Sequence, residues 1–213
     1  MTSSMTWLAA FVTIAVLLLY EVSLAFAQRR RPASMARTAH ATLREEWFIA
    51  ISKQNGSEIL AVQTLRNSLM SATMTASTAV LGLVGTVSLA APSLQLSFTE
   101  ASAVAPTFTA RLALELMLMA LLFASLVSSA MAVRYYNHAG FIGAMPVESD
   151  ERRRWTDTGV SYVRRAGLLY SWGLRHLILV APILASIVHP VAGPIAAVIV
   201  VALLFGLDRF GIN

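Results

Sequence analysis

The stretch WLAAFVTIAVLLLYEVSLAFAQRRR, Trp7–Arg31, decides the fold. Its first part, Trp7–Phe26, is an apolar run whose single charge is Glu21. At about 1.5 Å of rise per residue it matches a hydrocarbon core of about 30 Å. The block Gln28-Arg29-Arg30-Arg31 closes it with positive charge. Ala25-Phe26-Ala27 also resembles the cleavage site of a secretory signal. Two features oppose that reading: no positive charge precedes Trp7, and the basic block that follows resists export. The run therefore reads as a retained membrane helix with its N-terminus outside.

Working outward, further apolar runs predict spans at about 68–90, 112–133, 168–188 and 191–207. With these marked, Arg111 is the only one of the 16 Lys and Arg residues left outside. That asymmetry is the positive-inside pattern of a multi-pass protein. It predicts an all-α integral membrane bundle of five segments in a bacterial inner membrane, C-terminus cytoplasmic. Four spans with a re-entrant last run is the alternative, because 17 residues is the short limit for crossing. The chain is 57% hydrophobic and only 13% charged, with mean hydropathy +0.68; soluble domains carry about a quarter charged residues. The +5 net charge sits in particular loops, which points to anionic lipid headgroups and not to nucleic acid. With no cysteine, disulfides, thiol catalysis and Cys-ligated zinc are excluded.

The first cytoplasmic segment carries Arg29, Arg30, Arg31, Arg37, Arg44, Lys53 and Arg66. Leu43, Trp47, Phe48 and Ile51 recur at helical spacing, with Arg44, Glu45 and Glu46 opposite. This predicts an amphipathic helix over about 38–54, either lying in the interface or packed on the protein's own cytoplasmic face. Asn55-Gly56 marks a turn, and Ser57 is a suitable N-cap for the next helix. That helix is predicted to run to about Leu89 and to end at Ala91-Pro92-Ser93. It carries a seam of small residues, Ser68, Ser71, Thr75, Thr78, Gly82 and Gly85, in steps of 3, 4, 3, 4, 3. Such a seam lines a pore or lets helices approach closely, and close packing is the commoner use.

Residues 92–110 read as a short outside loop with one charge, Glu100. Arg111 and Glu115, four apart, can pair on one helix face. Residues 134–167 read as a second cytoplasmic loop, with a helix from about Thr156. Pro182 is placed to kink the fourth span, and His189-Pro190-Val191-Ala192-Gly193-Pro194 reads as a tight outside turn.

The runs Ala61-Val62-Gln63-Thr64-Leu65-Arg66-Asn67 and Arg134-Tyr135-Tyr136-Asn137-His138, with Gly173-Leu174-Arg175, resemble the DUF599 family of small multi-pass membrane proteins. The resemblance covers about Trp7–Asp208. It implies a shared fold and supports the span count; the family being of unknown function, it implies no reaction and adds no catalytic residue.

The residues themselves point away from an enzyme. There is no G-x-G-x-x-G, P-loop, G-x-S-x-G or H-E-x-x-H pattern. His40, His138, His176 and His189 lack metal-ligand spacing, so neither metal nor cofactor is expected. What stands out is a polar set at the cytoplasmic boundary: Arg66, Asn67, Arg134, Asn137, His138, Arg175 and His176. Ionisable residues inside a membrane are costly and default to function. The set is a candidate anion or ion-gating site at an inner mouth; the plainer reading is snorkelling to headgroups and structural pairing. Glu21 and Arg175 fall at equal depth, roughly 20 Å from the outer face by helical rise, and are expected to pair. Two functions stay open: an oligomeric channel or transporter, and a non-catalytic accessory or scaffold subunit of a membrane complex. Both call for a second copy or a partner membrane subunit.

Overall fold

Hydropathy and helical propensity are both satisfied by long helices, because in lipid every backbone N–H and C=O must bond within its own segment. The computed structural model describes residues 3–30, 35–99 and 108–208, without the side chains of residues 3, 93 and 96–99. Among the described residues six helices follow in order: α1 Ser3–Arg30, α2 Ala36–Ile51, α3 Glu58–Thr99, α4 Ala110–Ala144, α5 Asp150–Val188 and α6 Ala192–Asp208. Ser4–Arg30, Glu58–Pro92, Ala110–Ala144 and Asp150–Val188 are long and apolar enough to cross a membrane. The protein is a membrane-embedded helical bundle. The fifth expected span, α6, has 17 residues and is shorter than these four.

Several boundaries differ from the sequence reading. Ala91-Pro92-Ser93 does not end α3, which runs through Pro92 to Thr99. Proline's fixed φ is a helical value, and its one missing donor is tolerated in membrane helices. Residues 134–167 are mostly helix and not loop: α4 extends to Ala144 and α5 already starts at Asp150. The reason is visible in α4, where Ala132, Tyr136, Ala139 and Ile142 are buried at helical spacing. Ser57 does not cap α3 with its side chain; its hydroxyl donates back to the Ile51 carbonyl at 2.6 Å. The Asn55-Gly56 turn is present, with Gly56 at φ 79°, a left-handed value that suits glycine. The His189 turn is also tight, the Ala192 N–H donating to the His189 carbonyl at 2.9 Å. Arg31, Glu100 and Arg209 lie outside the described residues.

The chain divides into two compact units. Unit 1 comprises residues 1–31, 78–124 and 175–207. Its core is aliphatic, built on Leu17, Leu118, Leu179 and Ile183. Gly193 lets α6 pack closely: a Cβ there would meet Ser186 Oγ at 2.6 Å and Thr13 Oγ1 at 2.7 Å. The buried Thr13 hydroxyl stays satisfied by donating to the Ala9 carbonyl at 2.8 Å. Arg111 Nε lies 2.9 Å from Glu115 Oε1, and Glu115 is buried.

Unit 2 comprises residues 32–77, 125–174 and 208–213. Phe48 of α2 is fully buried at its centre, among Leu65, Tyr136, Ile142 and Val163. The apolar stripe of α2 is thus divided: Phe48 and Ile51 pack on the protein, while Leu43 is 62% exposed. Arg44 is not on the solvent side as its place in the pattern implied, since it lies against the backbone of Gly167 in α5. At the ends of the helices, Arg152 donates to the Ile142 carbonyl, to the Met145 carbonyl at 3.4 Å and to Ser52 Oγ at 3.1 Å. It thereby bonds carbonyls at and just beyond the end of α4, where the Ile142 carbonyl also accepts from the Met145 N–H at 3.2 Å. The Glu58 carboxylate accepts from the Val147 N–H at 3.1 Å, and Asn55 donates to Glu148 at 2.6 Å. These bonds tie the α2–α3 turn to the α4–α5 turn.

Candidate functional site

The candidate inner-mouth residues are divided by the helices that carry them. Arg175 and His176 belong to unit 1, and Arg66, Asn67, Arg134, Asn137 and His138 to unit 2.

In unit 1, α1 carries Glu21 and α5 carries Arg175. Arg175 Nε donates to Glu21 Oε1 at 2.5 Å, and the side chains are 5% and 23% exposed. The guanidinium also sits 5.1 Å from the ring centre of Tyr20, the buried neighbour of Glu21. A carboxylate plus an aromatic face is what a guanidinium needs at low dielectric. Arg175 is therefore already neutralised within its own unit, which weakens its candidacy as an anion ligand. His176, next along α5, is half-buried.

In unit 2, Arg66 and Asn137 meet across a groove of about 400 Å³ between α3 and α4. The rest of its wall is apolar and aromatic, with Val62, Leu69, Tyr136 and Phe141. A guanidinium and a carboxamide at the edge of an apolar groove suit an amphiphile with a polar head. His138 goes elsewhere: its ring lies 6.0 Å from that of Tyr162, which also has Tyr135 at 5.5 Å. Asn67 and Arg134 are exposed. The structure thus brings together Arg66 with Asn137, and Arg175 with Glu21. Among the described residues no group of three or more His, Asp or Glu could hold a metal ion.

The small-residue seam of α3 also divides. Thr75 is buried and Ser68 and Gly82 half-buried, while Ser71, Thr78 and Gly85 are exposed. Gly82 makes a close contact in unit 1, since a Cβ there would meet Leu122 Cδ2 at 2.9 Å; around Gly85 nothing lies within 4 Å. The line that α3 buries most fully consists of Ala61, Ala72, Ala79 and Ala90. The hydroxyls of Ser68, Ser71, Thr75, Thr86 and Ser88 each donate to the carbonyl four residues back. That satisfies the donor in lipid. With Asn67 and Ser88, the exposed positions Asn67, Ser71, Thr78, Gly85 and Ser88 share one stripe of α3 with Met74 and Leu81, while Thr73 and Ser77 are exposed beside it.

Arg152 was not singled out by sequence reasoning. It sits in the run Arg152-Arg153-Arg154, and nothing in that run marks which of the three is buried.

A family model described as "Protein of unknown function, DUF599" matches residues 8–211. The chain belongs to the DUF599 family. Neither a curated protein nor a solved structure matches this DUF599 protein. The family supplies no reaction, and the membrane class rests on the long apolar helices.

Proposed function

We propose that this DUF599 protein assembles into a homo-oligomer through the exposed stripe of α3 that carries Thr78, and that the assembly passes a small solute or ion. One observation carries the reading: Asn67, Ser71, Thr78, Gly85 and Ser88 are exposed on the protomer along a membrane helix. Met74 and Leu81, large and exposed, fall in the same stripe at steps of three and four from Ser71, Thr78 and Gly85. A stripe in which small polar residues alternate with Met74 and Leu81 offers both close backbone approach and apolar knobs, which suits another helix of the same kind. A bundle of this size needs several copies to enclose a pathway. Arg66, at the inner end of the same helix, with Asn137 would form the cytoplasmic mouth. The second reading, a non-conducting subunit of a membrane complex, is favoured by Gly82, which serves close packing alone.

Two variants separate these readings. Gly82→Leu drives bulk into Leu122 and should cost the protomer about 1–3 kcal/mol. Thr78 is exposed on the protomer, so Thr78→Leu should cost its fold less than Gly82→Leu does. It should still lose assembly, or flux in liposomes, measured by size-exclusion with light scattering and by solute efflux. Loss of flux with assembly retained supports the pathway; assembly without flux in the wild type supports the scaffold.

The orientation proposed for the assembly is N-terminus outside and C-terminus cytoplasmic, in a bacterial inner membrane, with anionic headgroups against the basic segments. Reporter fusions within the 92–110 segment should read external, and fusions at residue 150 cytoplasmic. An external signal at residue 150 overturns the scheme.

A further inference from the structure

We infer that α2 and α5 of unit 2 form a phosphate-binding site. The cavity between them has a volume of about 190 Å³, room for roughly six waters at about 30 Å³ each. A phosphate group with part of its ester fits that space.

The lining explains the charge it would take. Arg37, His40 and Arg44 of α2 point one face of that helix into the cavity, and Tyr170 and Ser171 of α5 add hydroxyls. No carboxylate lines it among the described residues. Arg37, His40 and Arg44, three and four residues apart, fall on one helical face, so an anion between them meets two guanidinium groups and an imidazole. Hydroxyl donors beside two guanidinium groups are the usual set for a phosphate.

The walls are also built to hold the guanidinium groups. Arg37 Cζ lies 4.1 Å above the ring centre of Trp172, which orients that guanidinium. Arg44 Nη1 donates to the His40 carbonyl at 3.3 Å. The Arg44 head is seated on Gly167, where a Cβ would meet Nη1 at 2.6 Å and Cζ at 2.8 Å. Only glycine at 167 leaves Arg44 in this place. The acidic residue that follows on α2, Glu45, is engaged with Arg164 at 2.9 Å.

This site shares no residue with the Arg66–Asn137 groove and does not depend on whether the assembly conducts. The phosphate could belong to an anionic lipid or be free in solution, and the test has one arm for each. Purified full-length protein in a neutral detergent is titrated with inorganic phosphate by calorimetry. The same protein in phosphatidylcholine nanodiscs, with and without phosphatidic acid, is assayed for retained lipid by native mass spectrometry. Binding in the first arm alone identifies free phosphate; binding in the second identifies the lipid. Arg44→Gln should reduce binding at least tenfold. Gly167→Ala keeps every charge and displaces only the flexible end of Arg44, so it should fold normally and reduce binding comparably. Arg153→Gln, a change at an exposed cation paired with Asp150, serves as the control for bulk charge. No binding of either probe overturns the inference. So does wild-type affinity in Gly167→Ala, or an equal loss in Arg153→Gln.

Discussion

Glu21→Gln alone and Arg175→Gln alone should each destabilise the protein by roughly 3 kcal/mol, and the double variant by less than either. The pair lies between α1 and α5 with Nε and Oε1 2.5 Å apart. Removing one partner leaves the other charge in a low-dielectric setting without compensation, which is the larger part of the cost. The figure is at the low end for buried pairs because Glu21 keeps 23% exposure. Thermal or denaturant unfolding of the four proteins in one detergent forms the cycle. Additive effects of the two substitutions would show that the charges stabilise the fold independently.

Phe48→Ala should cost about 3–5 kcal/mol, the range for removing a fully buried aromatic ring. Phe48 is how α2 is fastened to unit 2. Its ring is so close to Gly159 of α5 that a Cβ there would meet Cε1 at 2.5 Å. Gly159→Ala should therefore be destabilising in the wild type by about 1–3 kcal/mol, through overpacking. The same substitution should cost less in a Phe48→Leu background, where the far end of the ring is gone. An unchanged cost of Gly159→Ala in that background would mean that the glycine serves the backbone and not the ring. Limited proteolysis near Asn55 should report the same loosening, since α2 leads directly into that turn.

What was legible in the sequence follows from one-dimensional physics. Apolar runs of membrane length gave the positions of α1 and of the apolar parts of α3, α4 and α5, because the bilayer imposes length. Helical rise alone put Glu21 and Arg175 at one depth, and the side chains meet. Asn55-Gly56 announced a turn because few residue pairs tolerate a positive φ. The losses are of another kind. Pro92 and the polar composition of 134–167 were read as helix ends, yet both stretches are helical. The buried residues Ala132, Tyr136, Ala139 and Ile142 recur at helical spacing, and the arginines around them mask that period in the composition. The polar set at the inner boundary was assembled by depth, which says nothing about azimuth around a helix. Arg66 and Asn137 share a groove, whereas His138, on the same helix as Asn137, turns to Tyr162. The seating of Arg44 on Gly167 had no sequence signal, because a glycine within an apolar helix marks no particular neighbour.

The claim on which the functional account rests is that the edge of α3 bearing Thr78 faces another copy of the chain. The chain contains no cysteine, so single cysteines can be read without background. The direct measurement is oxidative cross-linking in native membranes of Thr78→Cys against Val84→Cys. Both positions are exposed, but six residues at about 100° each place Val84 on a different face of α3. The account predicts a cross-linked dimer with Thr78→Cys and none with Val84→Cys. A protein that stays monomeric with Thr78→Cys, or that cross-links equally at both positions, contradicts it.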